Sequence, residues 1–333
     1  MKRPALVRQV AYAAACALLF PFSGVAAVAQ TVIATIPAQE GSLGFPLTIA
    51  VNPLTQLVYI AGNGVEVVNQ RTNTPVTTLN IGEDSESGIA INPVTRKLYV
   101  TDYLTGLYVV DLNTNTIVGK FAISNALAVT YNPITNRVYT LDNLANVWVN
   151  DGTTGALIKE IATPPQIGSS QAFTITINPV TNRIYIPVNV EPGELFVVDA
   201  NSNAVTTVPL KGDLSYFAAV DVLRNIIYVS AQAGQVDVLN GATNTETATI
   251  TGIPLEPGAI SVDPLTRRVY LSNLGQNEVE VINGATNTLT STVIPVGTTP
   301  DFSAIDLLHG LLYVGNTAEF EPGPVSVSVI SLN

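Results

Sequence analysis

Asn92-Pro93-Val94-Thr95-Arg96-Lys97-Leu98-Tyr99-Val100 is the stretch that decides the fold, because related stretches recur along the chain. Each copy has an Asn or Asp, then a short turn usually rich in Pro and Thr, and a Tyr seven residues after the Asn or Asp. Seven copies are present, and their tyrosines are Tyr59, Tyr99, Tyr139, Tyr185, Tyr228, Tyr270 and Tyr313. The intervals between them are 40, 40, 46, 43, 42 and 43 residues, which indicates a repeat protein.

Each repeat has the pattern of four short strands. In the second repeat, a β-branched run ends at Asn92, a tight turn leads to the Tyr99 strand, and a third strand covers 107–110. A turn rich in Asn and Thr then leads to a fourth strand at 117–122. Four strands per repeat, repeated seven times, predict an all-β fold, a seven-bladed β-propeller with four antiparallel strands in each blade.

The two ends of the repeat region predict how the ring closes. Residues 31–37 have the pattern of a fourth strand, yet they precede the first repeat, and the last repeat stops at its third strand, 325–330. We therefore expect the N-terminal strand to complete the C-terminal blade, because a closed ring leaves no unpaired blade edge. An open solenoid is the alternative.

The repeat resembles the YVTN family of β-propeller repeats, found in archaeal surface-layer proteins and bacterial exported proteins. Tyr99-Val100-Thr101-Asp102 differs from the tetrapeptide that names the family at one position, and 281–288 is similar to its third-strand turn. The resemblance covers 31–333 and implies architecture rather than activity. Repeats five and seven lack the turn proline, which leaves the geometry of those two turns open.

Residues 1–29 are predicted to be a signal peptide. An apolar stretch at 10–20 is too short to span a bilayer, and Ala27-Val28-Ala29 predicts cleavage before Gln30. The basic residues ahead of the apolar stretch are Lys2, Arg3 and Arg8. The alternatives are an uncleaved membrane anchor and a lipoprotein attached through Cys16. Cleavage predicts a periplasmic or extracellular protein.

Residues 30–333 are expected to form a single propeller domain with no transmembrane segment, and to be monomeric. The first 29 residues hold three of the 14 basic residues and none of the 25 acidic ones, which leaves a net charge of −14. Such a charge disfavours binding to nucleic acid. The only cysteine also lies in the first 29 residues, so the predicted mature chain has neither a disulfide nor a thiolate ligand.

The inner strand of each blade predicts which residues line the central channel. Two residues before the Asn or Asp, every repeat has a small side chain, and this channel-lining ring is Ala50, Ala90, Thr130, Thr176, Ala219, Ser261 and Ala304. Two residues further back, the fifth and seventh repeats carry Phe217 and Phe302. The residues between these positions are mostly large and apolar, so we expect them to pack between blades.

Charged residues separate onto two faces of the predicted propeller. The turn face is formed by the turns between strands one and two and between strands three and four, and it holds eight of the 11 basic residues of 30–333. The variable-loop face, opposite to it, is acidic. Its densest part provides candidate ligands for a divalent cation, namely Glu83, Asp84, Glu86, Asp102 and Asp142. No EF-hand loop and no phosphate-binding glycine loop is present, so no cofactor is predicted.

These features favour a non-catalytic, exported binding or scaffold module that uses its variable-loop face. Its partner would be a protein, a cell-envelope component or a small ligand. No catalytic residue is predicted, because the only histidine, His309, lies in a turn on the face opposite the variable loops and no Ser/His/Asp set can form around it there. The alternatives are a metal-dependent lactonase or ring-opening lyase that uses loop carboxylates, and a structural cell-surface protein.

Overall fold

The chain folds into seven four-stranded antiparallel sheets arranged as a propeller. The computed structural model describes residues 30–38, 48–62, 64–81, 86–165, 172–254, 256–318 and 323–332. Regular structure in these ranges is all strand, so the predicted fold class is confirmed. Within the same ranges no helix is long and apolar enough to cross a membrane.

The first four blades follow one another along the chain after strand β1 (Thr31–Pro37). Blade 1 is β2 (Ile49–Asn52), β3 (Leu57–Gly62), β4 (Gly64–Asn69) and β5 (Thr74–Leu79). Blade 2 is β6 (Glu86–Asn92), β7 (Lys97–Asp102), β8 (Gly106–Asp111) and β9 (Thr116–Phe121). Blade 3 is β10 (Ala126–Asn132), β11 (Arg137–Asp142), β12 (Val147–Asp151) and β13 (Leu157–Ile161). Blade 4 is β14 (Thr176–Asn178), β15 (Arg183–Val188), β16 (Glu194–Asp199) and β17 (Ala204–Pro209).

The last three blades have the same strand order. Blade 5 is β18 (Ser215–Asp221), β19 (Ile226–Ala231), β20 (Gln235–Asn240) and β21 (Thr245–Ile250). Blade 6 is β22 (Pro257–Asp263), β23 (Arg268–Asn273), β24 (Glu278–Asn283) and β25 (Thr288–Pro295). Blade 7 is β26 (Pro300–Asp306), β27 (Leu311–Asn316), β28 (Ser326–Ser331) and β1.

The ring closes as predicted, with β1 as the outer strand of blade 7. It pairs antiparallel with β28, from Thr31 opposite Ser331 to Pro37 opposite Ser326. The third strand of this blade lies one residue later than the sequence indicated. Because β1 pairs with β28, blade 7 has no unpaired outer edge at β28.

The turn between the first two strands has the same geometry in every blade. The Asn or Asp that ends the inner strand accepts a hydrogen bond from the backbone N–H two residues later, over 2.8–3.1 Å. Two residues after that N–H, the backbone has positive φ in all seven turns. Blades 5 and 7 therefore form this turn without proline, because the side-chain hydrogen bond is sufficient to close it.

The core is divided among the seven interfaces between neighbouring blades. Each interface holds one cluster of buried apolar side chains that includes the repeat Tyr of one of the two blades. The interface between blades 5 and 6 is an example, where Tyr228 and Val236 lie in one cluster with Val269 and Leu271. Burial of such side chains, at about 1.5–3 kcal/mol each, holds neighbouring blades together.

Candidate functional site

The repeat tyrosines lie inside the blade interfaces and present no surface to a ligand. All seven are at most 2% exposed. The Tyr139 hydroxyl donates a hydrogen bond to Asn182 Oδ1 over 3.2 Å, and Gln30 Nε2 donates to the Tyr270 hydroxyl over 2.6 Å. Burial raises the pKa of Tyr59 to about 12. These groups are therefore neutral structural contacts, as their regular spacing predicts.

The channel-lining ring lies directly across the sheet from these tyrosines. Each of its seven residues pairs with the repeat Tyr of the second strand of its own blade. Ala50, Ala219 and Ser261 are buried, and the other four are half-buried. Ser261 Oγ lies 2.8 Å from Ser303 Oγ on the inner strand of the next blade. The inner strands therefore approach each other closely at this level.

Two pairs of aromatic side chains lie at the end of the inner strands that adjoins the variable loops, and they are linked through the adjacent residues Tyr216 and Phe217. The Phe217 and Phe302 rings meet edge to face, with centroids 5.4 Å apart. Phe173 stacks on Tyr216 with centroids 5.9 Å apart. Phe217 and Phe302 belong to blades 5 and 7, so their contact spans blade 6, which carries Ala259 at the equivalent position. We call these four residues the aromatic cluster.

The aromatic cluster is only partly covered by the protein. Phe173 is 39% exposed, and the other three residues are half-buried. Tyr216 is held in place by polar contacts, since Thr174 Oγ1 donates to its carbonyl and Asn189 Nδ2 donates to its hydroxyl over 3.0 Å. An exposed aromatic surface of this kind can pack against an apolar, planar or cationic group.

The predicted cation ligands are not brought together among the residues that the structure describes. Glu83, Asp84 and the Glu86 side chain lie outside them. Asp102 and Asp142 are buried at the turns between the second and third strands of blades 2 and 3. In the described part of the chain, no three His, Cys, Asp or Glu side chains form a group suited to a metal ion.

Asp102 and Asp142 use their oxygens to close their own turns. Asp102 Oδ1 accepts from the Leu104 and Thr105 N–H groups over 3.0 and 2.7 Å. Asp142 Oδ1 accepts from two backbone N–H groups at 2.9 Å, while its Oδ2 accepts from Trp148 Nε1 at 2.9 Å. A cation at either carboxylate would compete with these hydrogen bonds.

His309 links the first blade to the last on the turn face. Its Nδ1 lies 2.7 Å from Asp306 Oδ2, and its Nε2 lies 3.0 Å from Gln56 Nε2 of blade 1. Gln70 Nε2, also from blade 1, donates to the same Asp306 oxygen over 2.5 Å. This network adds polar contacts across the interface where the ring closes, which is a structural use of the histidine.

Three buried carboxyl groups were not singled out from the sequence. Glu66, Asp237 and Glu280 lie on the third strand, each paired with the residue that follows the repeat Tyr, where other blades carry Tyr108, Trp148 or Phe196. Asp237 is partnered, because its Oδ2 accepts from the Gly212 N–H over 2.8 Å. Glu280 Oε2 has no hydrogen-bond partner among the described residues, and burial raises the pKa of this carboxyl to about 7. Alignment of the third strands could have identified this position as buried.

Comparison with known proteins yields no assignment of the chain. No protein-family model matches it, and no curated protein sequence matches it significantly. The propeller architecture is established by the strand pairing.

Proposed function

We propose that this chain is an exported, non-catalytic binding module of the YVTN type, which captures its partner on the variable-loop face. The observation that carries the proposal is the aromatic cluster. It consists of two partly exposed ring pairs, contributed by the segment before blade 4 and by the inner strands of blades 5 and 7, at the variable-loop end of those strands. Surface aromatic groups with few rotatable bonds are favoured at binding sites, because little entropy is lost when they are covered.

The charge near the cluster favours a cationic partner. Asp213 and Glu256 lie in the loops that join blades 4 to 5 and 5 to 6, and Asp301 lies next to the loop that joins blades 6 to 7. These loops adjoin strands that carry Tyr216, Phe217 and Phe302. Carboxylates beside aromatic faces attract ammonium and guanidinium groups. A basic segment of a cell-envelope protein has the chemistry that this surface would recognise.

The test uses binding rather than catalysis. The purified protein is titrated with a set of lysine- and arginine-containing peptides and with charge-matched acidic peptides, and binding is followed by calorimetry. We expect affinity for the basic peptides alone. The double variant Phe173→Ala/Tyr216→Ala should weaken that affinity on the order of tenfold or more, because loss of an aromatic contact costs about 1–2 kcal/mol.

A matched control is available on the same face. Leu144 is 64% exposed at the variable-loop end of blade 3, away from the cluster, so Leu144→Ala removes exposed apolar surface from the same face without touching the aromatic rings. This variant should bind as the parent protein does. Equal affinity for acidic and basic peptides, or equal loss in both variants, would contradict the proposal.

A further inference from the structure

The turns between the third and fourth strands carry a chemical feature that is independent of the variable-loop face. In blades 5 and 6 they begin with asparagine followed by glycine, at Asn240-Gly241 and Asn283-Gly284. Both asparagines are exposed. Asparagine followed by glycine is prone to deamidation, because glycine has no Cβ to hinder attack by its own backbone nitrogen on the asparagine side chain. A third such pair, at 63–64, includes Asn63, which lies outside the described residues.

The same position in the second, third and fourth blades is occupied by aspartate. The residues are Asp111, Asp151 and Asp199, each at the end of the third strand of its blade. Blade 3 continues with Gly152, so it has the aspartate-glycine pair that deamidation would create in blades 5 and 6. The product of the reaction is therefore already present in this fold at an equivalent turn.

The asparagine and aspartate turns have the same hydrogen bonds. Asp151 Oδ1 accepts from the N–H two residues later over 2.9 Å, and the Oδ1 atoms of Asn240 and Asn283 accept from the equivalent N–H over 2.8 and 2.9 Å. The glycine N–H donates to a carbonyl at the end of the turn between strands one and two, over 3.0 Å in blade 3 and 2.8 Å in blades 5 and 6. Replacement of the amide by a carboxylate keeps the accepting oxygen, so the turn can retain its geometry.

The aspartate turns stabilise the charged form of their carboxyl groups. The hydrogen bond from the Thr154 N–H makes the largest contribution to lowering the pKa of the Asp151 carboxyl. In blade 4 the Ser202 N–H lowers the pKa of the Asp199 carboxyl in the same way. A backbone N–H forms a stronger hydrogen bond with a charged acceptor than with a neutral one, so this turn favours a carboxylate over an amide.

Blade 6 also places a cation opposite the position of the new carboxylate. In blade 3, Arg137 lies opposite Asp151 on the second strand and donates to its Oδ2 over 2.9 Å. Asn283 has Arg268 at the same cross-strand position, whereas Asn240 has isoleucine there. Opposite charges at such positions attract each other. A carboxylate at position 283 would thus gain an ion pair that the amide cannot form.

We propose that Asn240 and Asn283 are sites of spontaneous deamidation, which converts them into the aspartate form that blade 3 carries. The glycine nitrogen attacks Cγ of the asparagine, the bond from Cγ to the side-chain nitrogen breaks, and ammonia leaves with the proton of the glycine N–H. Water then adds to Cγ of the resulting succinimide, and the bond from Cγ to the ring nitrogen breaks. The nitrogen recovers a proton from the water, which leaves a backbone amide and a side-chain carboxyl group that ionises.

The folded turn slows this reaction and selects its product. Attack requires the hydrogen bonds at Oδ1 and at the glycine N–H to open. A surface turn opens locally at low cost, so the reaction proceeds in the native protein, but more slowly than in the unfolded chain. Hydrolysis at the other ring carbonyl gives isoaspartate, which lengthens the backbone by one atom and disturbs the spacing of both hydrogen bonds. Because isoaspartate can re-form the ring, the aspartate that fits the turn accumulates.

The experiment is peptide mapping by mass spectrometry of the full chain, as the cell processes it, during storage in warm, mildly alkaline buffer with and without urea. We expect Asn240 and Asn283 to gain one mass unit in the native protein, more slowly than in urea and with a larger share of aspartate over isoaspartate. The control is Asn69, at the same position in blade 1, which should not react in the native protein. Gln70 follows it, with a buried side chain that donates to Asp306. Fragment spectra separate Asn69 from Asn63.

Substitution gives the product directly. Asn240→Asp and Asn283→Asp should fold and keep the Tm of the parent at high salt, and Asn283→Asp should have a higher Tm at low salt, a rise that Arg268→Gln abolishes. Absence of the mass gain at Asn240 and Asn283 in the native protein, or a gain at Asn69 as fast as theirs, would overturn the proposal. A native product that is mainly isoaspartate, or a Tm below that of the parent in either variant, would overturn it as well.

Discussion

The buried carboxyl of Glu280 makes the free energy of unfolding of this protein depend on pH, and Glu280→Gln should remove this contribution. Its side chain is 3% exposed on the third strand of blade 6, and Oε2 has no hydrogen-bond partner among the described residues. Burial, with a smaller contribution from the nearby Glu278 charge, raises the pKa of the Glu280 carboxyl from 4.5 to about 7. The folded protein therefore holds this proton more tightly than the unfolded chain does.

The direction of the effect follows from which state binds more protons. Between pH 4.5 and pH 7 the folded state retains a proton at Glu280 that the unfolded chain releases, so the free energy of unfolding falls as the pH rises. One pH unit of difference corresponds to about 1.4 kcal/mol, so ionised Glu280 costs about 3 kcal/mol above pH 7. Glu280→Gln keeps the size of the side chain and removes the charge.

We expect Glu280→Gln to match the parent protein near pH 4.5 and to exceed its stability by about 3 kcal/mol at pH 8, which is about 5 °C in Tm for a domain of this size. The assay is urea unfolding followed by circular dichroism at half-unit pH intervals, and the quantity of interest is the difference between variant and parent. Glu160→Gln, on the exposed fourth strand of blade 3, is the control and should show no pH-dependent difference. Parallel pH profiles for Glu280→Gln and the parent, or a parent that is more stable at pH 8, would refute the reasoning.

Four further outcomes test the fold and the candidate cation site. Deletion of residues 31–37 should lower stability and cause aggregation visible by light scattering, because β28 then offers an unpaired edge; a monodisperse, stable product would contradict the closure. Gly88→Ala should lower the free energy of unfolding by roughly 1–3 kcal/mol, since its Cβ would lie 2.8 Å from the backbone of the next inner strand. Ala90→Leu should cost a similar amount by overpacking, roughly 1–3 kcal/mol in a urea melt, and a neutral result would mean that the position faces open space. Calcium should not raise the Tm of the parent, and a rise that disappears in Asp102→Asn/Asp142→Asn would instead establish a cation site.

The repeat pattern was enough to predict the architecture because each blade is specified locally. The Asn or Asp before the turn, the tyrosine seven residues later and the Asn- and Thr-rich outer turn all act within one repeat. Their spacing counts strands and blades directly, and the unpaired strand at 31–37 predicts the closure that β1 and β28 make. The blade number and the closure therefore required no knowledge of contacts between repeats.

The functional surfaces depend on contacts between repeats, which spacing does not reveal. Phe217 and Phe302 are 85 residues apart in the sequence, and only the convergence of the inner strands places their rings at 5.4 Å. The Asp102 and Asp142 carboxylates looked available as cation ligands, yet the fold buries them and uses their oxygens in turns.

The exposure of a side chain is likewise decided by tertiary structure. An aliphatic residue in a short turn between two strands is buried or exposed according to what packs over it. Leu54 and Val94 are 43% and 50% exposed, and their sequence positions did not indicate this exposure. Glu280 shows the opposite case, since a glutamate in an alternating strand is ordinarily directed to water, while here it is 3% exposed. The sequence by itself determined the number, order and closure of the blades, because hydrogen bonding and turn chemistry are local. Only the packing of blade against blade decided which groups meet, which are buried and which remain available to a partner.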